Sequence, residues 1–349
     1  MFRVQKNTTL RSSLPAVLEL AEKYRQIVSA LENPEKLPSG GEETEEKAKL
    51  LFIEMCEICL WGNATDLSLL TSLTFEDIQK LQGSEARKKS EENILANDLP
   101  RVYDTLKKQK DEGAVGRIDI VLDNSGFELF VDLILAGYLL AAGLASKVVF
   151  HPKDLPWFVS DVLPGDFEDL INAIRDPVAY FALPENCDFP SGEGQEPIVL
   201  TGPERSNLGF VASHWSDLRA AGKITLRTDR FWTAGGSYNR LPANAPKLFQ
   251  ELKQSELVIF KGDLNYRKLT ADLAWDPTTK FETAIGPLGV RGSGIRVLAL
   301  RTCKADVVVG IPPGRDEELR AADGEENKEK RKWAWSGKWA VIQFWDGKS

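Results

Sequence analysis

Ile118-Asp119-Ile120-Val121-Leu122-Asp123-Asn124-Ser125-Gly126-Phe127 is the stretch whose reading decides the fold. An apolar β-type run, Ile118 to Leu122, stops on an acid, an amide and a glycine, and a long apolar helical pattern follows at once. That order is the strand-to-helix turn of an open α/β sheet, where ligands bind beyond the carboxyl ends of the strands. Asp123 and Asn124 fall at that place. Both offer hard oxygen donors, which suit Mg²⁺ or Mn²⁺ better than a thiolate-seeking metal. The plainer reading makes them caps for the helix starting near Gly126, and at this level both stand.

Further along, short β-branched runs alternate with helical patterns. Candidate strands are Arg117 to Leu122, Lys147 to His151, Ile224 to Arg227, Leu257 to Lys261, Val297 to Arg301, Val307 to Gly310 and Trp339 to Phe344. The alternation implies a largely parallel sheet with helices on both faces. Residues 10 to 110 are instead helical in period, with Pro38 to Glu43 a loop, Glu85 to Glu92 charged, and Pro100 closing a helix or loop. The expected organisation is a helical N-terminal region, 1–112, followed by an α/β/α (Rossmann-like) domain, 113–349.

Composition narrows the chemistry. The 349 residues carry a formal net charge of −8, so the chain lacks the basic face that nucleic-acid binding requires. A small phosphorylated metabolite held by a few local cations remains compatible. The most apolar stretch, Leu133 to Ala145, is short of the ~20 residues of a membrane span and reads as a buried helix. The N-terminus has no apolar signal core, which empties the sequons at Asn7 and Asn63 of meaning. Cys56 and Cys59 form a lone C-x-x-C and read as buried core cysteines; with Cys187 and Cys303 the chain has only four, which fits a reducing compartment, the cytoplasm or also the nucleus. Two histidines, His151 and His214, give little basis for a Ser-His-Asp or Cys-His arrangement. Gly286, Gly289, Gly292 and Gly294 do not form a dinucleotide fingerprint and read as a flexible loop. Arg315 to Lys332 is a charged surface loop or solvated helix, and Trp333, Trp335 and Trp339 anchor the last strand.

A metal on Asp123 and Asn124 needs a third ligand, and Asp161, shortly after the next candidate strand, is the best candidate, although it could also cap a helix over Asp166 to Ala173 or pair with a lysine. Lys261-Gly262-Asp263-Leu264-Asn265-Tyr266-Arg267-Lys268 follows the strand at Leu257 to Phe260 and offers hydrogen-bonding groups and cations for a phosphate or sugar. Arg301-Thr302-Cys303-Lys304 ends another strand.

Together with Asp123 to Glu128, His151-Pro152-Lys153, Ser160-Asp161-Val162 and the segment Glu54 to Leu70, including Leu60-Trp61-Gly62-Asn63-Ala64-Thr65-Asp66-Leu67-Ser68, these motifs resemble the metal-dependent damage-control phosphatases. The branch is the one marked by an Arg-Thr-x-Lys motif, also called acidic-residue methyltransferase-like. The likeness runs from about residue 50 to the C-terminus, behind an N-terminal region shorter than the branch's own. It implies one divalent ion (Mn²⁺ or Mg²⁺, with Co²⁺ or Ni²⁺ as substitutes) on Asp123, Asn124 and Asp161. It implies substrate contacts at Asp123, Asn124, Glu128, Asp263, Leu264, Asn265, Tyr266, Arg267 and Lys304. The implied reaction is hydrolysis of fructose 1-phosphate, fructose 6-phosphate or damaged phosphometabolites. Asp123 and Asp161 are the catalytic pair; an activated water is favoured over Asp123 as nucleophile, because no D-x-D signature is present. The alternatives are an S-adenosylmethionine-dependent protein carboxyl methyltransferase and a non-catalytic sugar-phosphate sensor. Oligomeric state is not legible.

Overall fold

The structure, a computed structural model, describes residues 10–33, 42–62, 91–182, 199–322, 324 and 330–349. Of the loop expected over Pro38 to Glu43, residues 38–41 lie outside the described residues, and Glu42 and Glu43 instead open a helix, so the loop ends earlier than expected. Residues 85–90 of the charged segment, Cys187, both sequon asparagines and motif residues 63–70 also lie outside the described residues.

Seven strands form one sheet: β1 (Ile94–Asn97), β2 (Arg117–Val121), β3 (Lys147–His151), β4 (Ile224–Leu226), β5 (Leu257–Lys261), β6 (Arg296–Thr302) and β7 (Ala340–Asp346). Their order is β1-β7-β6-β5-β2-β3-β4. Only β6 and β7 pair antiparallel; the other neighbours are parallel. Among the helices are α1 (Leu14–Leu31), α2 (Glu42–Trp61), α3 (Leu99–Asp111), α4 (Phe127–Ala141), α5 (Pro164–Arg175), α6 (Gly202–Ala220) and α7 (Gly262–Leu269). Among the described residues no helix is long and apolar enough to cross a membrane.

Period-two alternation divides the sheet between two cores. Ile118, Ile120, Leu257 and Ile259 join the core built with α1 to α6, while Val121, Val258 and Phe260 join the opposite one, with Trp232, Tyr266 and Leu288. The α/β/α layering therefore follows from strands that are apolar on both faces. An additional layer lies on one side. Every residue from Phe127 to Leu139 of α4 is buried, which is the behaviour of a helix apolar all round. The helix lies between the sheet and α1 and α2, whose buried faces share its core. Residues before 113 also feed the sheet, because β1 pairs with β7.

One acid stands inside a central strand. Asp119 is buried, and its carboxylate meets His151 Nε2 at 2.7 Å, Arg117 Nε at 2.7 Å and the Ser255 hydroxyl. Burial alone raises an acid, but these partners outweigh it and hold Asp119 below the usual carboxylate range.

Several expectations need correction. Val307 to Gly310 is not a strand: Tyr266 Oη accepts from Val309 N–H, Gln343 Nε2 donates to Val309 O, and Gly310 N–H donates to Thr279 O, so side chains and a turn use the groups a ladder would need. Pro100 opens α3 rather than closing a helix, since its fixed φ suits the first turn. Gly286–Gly289 is a 3₁₀ turn, and a Cβ on Gly289 would collide with the Glu282 carbonyl. Trp333 is buried and Trp339 packs on the core, but Trp335 is exposed. The charged run contains a helix, Arg315–Ala322, anchored where Asp316 accepts from Arg331 Nε at 2.8 Å and Trp333 Nε1 at 3.0 Å. Cys56 and Cys59 are buried in α2, as expected.

The helical layer rests on one close approach. Tyr24 of α1 lies against Gly137 of α4, where a Cβ would overlap the phenol oxygen. That oxygen is 2.8 Å from His214 Nδ1 and accepts from Trp215 Nε1 at 3.2 Å, so it has little room to yield. Gly137→Ala should lower stability by about 1–3 kcal/mol, seen as a lower urea midpoint at unchanged slope. Gly209→Ala, exposed on α6 with open space around it, should instead hold or raise the midpoint.

The Asp119 cluster sets a pH dependence. A depressed folded-state pKa contributes stability above the unfolded value of about 3.9 and loses it as pH falls. The wild type should therefore exceed Asp119→Asn in stability at neutral pH, with the gap shrinking below about pH 4, read by urea titrations at several pH values.

Candidate functional site

The chain leaves β2 and β5 in opposite directions across the sheet, toward β3 and β4 on one side and β6 on the other. Adjacent parallel strands that part in this way open a crevice at their carboxyl ends. Asp123 and Asn124 follow β2, Asp161 lies beyond β3, Asp263 follows β5 and Lys304 follows β6. The three oxygen-bearing residues read from the sequence as a metal set are brought together by backbone pairing. Asn124 and Asp161 form an isolated antiparallel bridge, flanked by Ser125 N–H donating to Ser160 O at 2.8 Å and Val162 N–H donating to Asp123 O at 3.0 Å.

Capping does not explain them. The residue preceding α4 is Gly126, with no side-chain cap. The one preceding α5 is Leu163. Asp161 does pair with a lysine: Lys153 Nζ donates to Oδ1 at 2.7 Å, while Trp157 and Phe158 N–H both donate to Oδ2 at 2.7 Å. Asp161 thus closes the loop between β3 and α5 on itself. Lys153 Nζ is also 3.9 Å from Asp123 Oδ1.

Asn124 is held at both ends. Its Nδ2 donates to Glu128 Oε2 at 2.9 Å and Asp123 Oδ2 at 3.1 Å, and its Oδ1 accepts from Ser160 Oγ at 2.6 Å. Glu128 is buried, with its other oxygen 3.4 Å from Lys261 Nζ. Lys261, the last residue of β5, donates to Asp132 Oδ1 at 2.7 Å and to the Cys59 carbonyl at 2.8 Å. Cys59 Sγ donates to the same Asp132 oxygen at 3.1 Å.

The second and third motifs meet through Asp263. Its Oδ1 accepts from Arg301 Nε at 2.8 Å and Lys304 N–H at 3.0 Å. Arg301 is buried, donates also to the Val307 and Ala305 carbonyls, and covers the Tyr266 ring at 4.3 Å. Asn265 is buried: Tyr238 Oη donates to its Oδ1 at 2.7 Å, and its Nδ2 donates to Leu122 O at 3.0 Å. Tyr266 is buried and donates to Gln343 Oε1 at 2.8 Å. Asn265 and Tyr266 therefore brace the strand ends, whereas Leu264 and Arg267 line an open pocket of about 260 Å³ with Trp157, Phe158 and Lys268. Arg267 is paired with Asp272 through both Nε and Nη2, at 2.8 and 2.7 Å.

Buried negative charge sets the electrostatics. Burial, with Glu128 and Asp161 nearby, pushes Asp123 up to about 7 despite Lys153 and Lys304. Burial likewise raises Asp132 to about 6, with Lys261 opposing. Lys261 loses from burial but gains more from Asp132, Cys59 and Glu128, and stays well above its ordinary value. At the pocket, burial and Lys153 pull Lys268 down to about 8. Asp123, Glu128, Asp132 and Asp161 thus share the buried region with Lys153 and Lys261, and the buried Lys268 also lies within electrostatic reach of Asp161.

Those donors fit a hard divalent cation. Two carboxylates and an amide oxygen suit Mg²⁺ or Mn²⁺, and added positive charge would relieve the acid whose carboxyl is raised. Among the described residues no group of three His, Cys, Asp or Glu side chains is placed to hold a metal ion without another donor. The expected alternative of a lysine partner for Asp161 is met by Lys153, whereas sequence reasoning missed Ser160, Lys261 and Arg301 as organisers.

Residues 1–319 match the damage-control phosphatase ARMT1-like domain. Damage-control phosphatase ARMT1 of Danio rerio is 32% identical over 348 residues, covering 98% of this chain and 67% of that protein. The Homo sapiens protein of the same name is 31% identical over 348 residues, covering 99% of this chain and 68% of that protein. The chain thus spans about two thirds of the length of these curated relatives. A solved DUF89 family protein from Pyrococcus horikoshii aligns at TM-score 0.36 and 15% identity, covering 84% of this chain and 69% of that one.

Gly262 provides a direct test of the crevice. It sits at φ +81°, and a Cβ there would collide with the Asp123 carboxylate. Gly262→Ala should strain the backbone and displace Asp123, costing about 1–3 kcal/mol. Calorimetry should show Mn²⁺ binding weakened at least about tenfold, or about 1.4 kcal/mol, in protein whose near-ultraviolet circular dichroism remains native.

Proposed function

Since the chain belongs to the damage-control phosphatase ARMT1-like family, we propose that this metal-dependent phosphatase hydrolyses sugar phosphates of the fructose 1-phosphate or fructose 6-phosphate type, or damaged phosphometabolites related to them. The observation that carries the reading is the meeting of Asp123, Asn124 and Asp161 at the strand crossover, beside buried and half-buried cations.

In this reading Asp123, Asn124 and Asp161 hold one divalent cation, Mn²⁺ or Mg²⁺, with Co²⁺ or Ni²⁺ able to substitute. When bound, the ion supplies charge to the phosphate and acidifies the attacking water. The chain's own residues supply position and charge, on which phosphoryl transfer mainly depends. Lys304, on a turn fixed by Asp263, and Arg267, at the pocket lip, neutralise phosphate oxygens. Asp161 accepts the proton of the attacking water, with Lys153 fixing its carboxylate. Glu128 holds Asn124 from behind, and Asn265 and Tyr266 keep the substrate-facing turn of α7 in place. Leu264 contacts the sugar. Residues 113–349 carry the chemistry, and the helices of 1–112 support it. The protein works in the cytoplasm, or also in the nucleus, on small metabolites.

The test is phosphate release from fructose 1-phosphate, fructose 6-phosphate and a wider phosphomonoester panel, with Mn²⁺, Mg²⁺, Co²⁺, Ni²⁺ or chelator. Cation-dependent turnover should fall by roughly 10²-fold or more in Asp161→Ala. Folded wild type that turns over no phosphomonoester would overturn the proposal. Micromolar S-adenosylmethionine binding without metal would then favour a carboxyl methyltransferase, and fructose-phosphate binding without turnover a sensor.

A further inference from the structure

We infer that Lys261 is a positioning residue through which the last turn of α2 fixes the Asn124 amide at the candidate metal site. This rests on the metal-site reading above. The inference comes from a continuous set of contacts. The last four carbonyls of a helix have no partner within it. In α2 the Ile58 carbonyl accepts from Gly62 N–H at 3.1 Å, and the next, Cys59, accepts from the Lys261 ammonium at 2.8 Å. A cation at that end also complements the helix dipole. The same ammonium donates to Asp132 of α4 at 2.7 Å and reaches Glu128 Oε1 at 3.4 Å. Lysine, Glu128 and Asp132 are all buried, so the geometry is set by protein contacts and not by water.

Glu128 passes that constraint to Asn124. Its second oxygen accepts from Asn124 Nδ2 at 2.9 Å and from Asn124 N–H at 3.3 Å. The two ends of an amide are nearly the same size but opposite in hydrogen-bonding sense. An acceptor fixed against the NH₂ end keeps the oxygen on the other side, where Ser160 Oγ donates to it at 2.6 Å. A metal requires that oxygen and not the NH₂. If Glu128 loses its anchor, it no longer fixes the amide, and the donor set falls from three to two. The helical layer is thereby tied to the site through the Cys59 carbonyl, one side chain removed from Glu128 and Asn124. Gly62, whose Cβ would overlap Val131 of α4, keeps the end of α2 close enough for the contact.

The probe is Mn²⁺ alone, titrated calorimetrically into full-length protein freed of metal by chelator. Lys261→Met leaves buried acceptors unpaired and can fail to fold, so Lys261→Met/Asp132→Leu is made beside it, which removes both charges of the buried pair. Glu128→Gln is the third variant. In folded protein, each should weaken Mn²⁺ binding at least tenfold. Adding Glu128→Gln to the lysine variant should change affinity by less than about twofold, since both act through one contact. Wild-type affinity in Glu128→Gln, or in either folded lysine variant, would overturn the inference while leaving the metal site intact. A wild type that binds no Mn²⁺ would overturn the metal-site reading itself, and this inference with it.

Discussion

A charge removed from water must be matched by another charge or a set of hydrogen bonds, and at the ends of β2 and β5 this chain removes several at once. Asp123, Glu128, Asp132 and Asp161 are buried there with Lys153 and Lys261. Such a cluster is tolerable only when nearly every lone pair and proton has a partner. The requirement explains the local backbone: Asp161 draws in two N–H groups of its own loop, Asn124 and Asp161 pair main chain to main chain, and β5 ends on lysine rather than another apolar residue. It also explains why Asp123 is the carboxyl pushed highest toward neutrality. The excess of acid over base leaves the site suited to a divalent cation.

The same constraint ties the layers together. A crevice at a strand crossover needs rigid strands, and β2 and β5 have rigidity from burial on both faces. It also needs fixed side chains, and here the supports come from several directions. Asp263 locks the turn after β6 through Arg301 and Lys304, Asn265 locks the end of β2 through the Leu122 carbonyl, and Lys261 joins α2 and α4 to Glu128. Gly262 allows β5 and α7 to pass directly beside Asp123. The open pocket next to Asp161 is less constrained in character: Trp157 and Phe158 stand exposed at its edge and form an apolar wall beside Arg267 and Lys268.

Much of the fold was legible in the sequence because its strands are long enough and apolar on both faces. Residues 117–122, 147–151 and 257–261 read as strands for that reason. Ile94–Asn97 was missed: four residues including alanine and asparagine carry almost no β signal, and only β7 makes them a strand. Val307 to Gly310 has the β-branched signal, but Tyr266, Gln343 and Thr279 use its backbone groups. Asp123, Asn124 and Asp161 could be grouped because parallel strands bring their carboxyl-terminal loops together. Lys261 was read as one of the cations for a phosphate or sugar, but it is buried against Cys59 and Asp132, and this role, like that of Arg301, depends on partners far along the chain that no local pattern encodes.

The central claim is that Asp123, Asn124 and Asp161 form one oxygen-rich metal site. Anomalous diffraction at the manganese edge, from crystals of the full chain equilibrated with Mn²⁺, tests it most directly. The account predicts a single strong peak about 2.0–2.6 Å from an oxygen of each of the three side chains. A peak elsewhere, or well-ordered crystals with no peak near these residues, would contradict it.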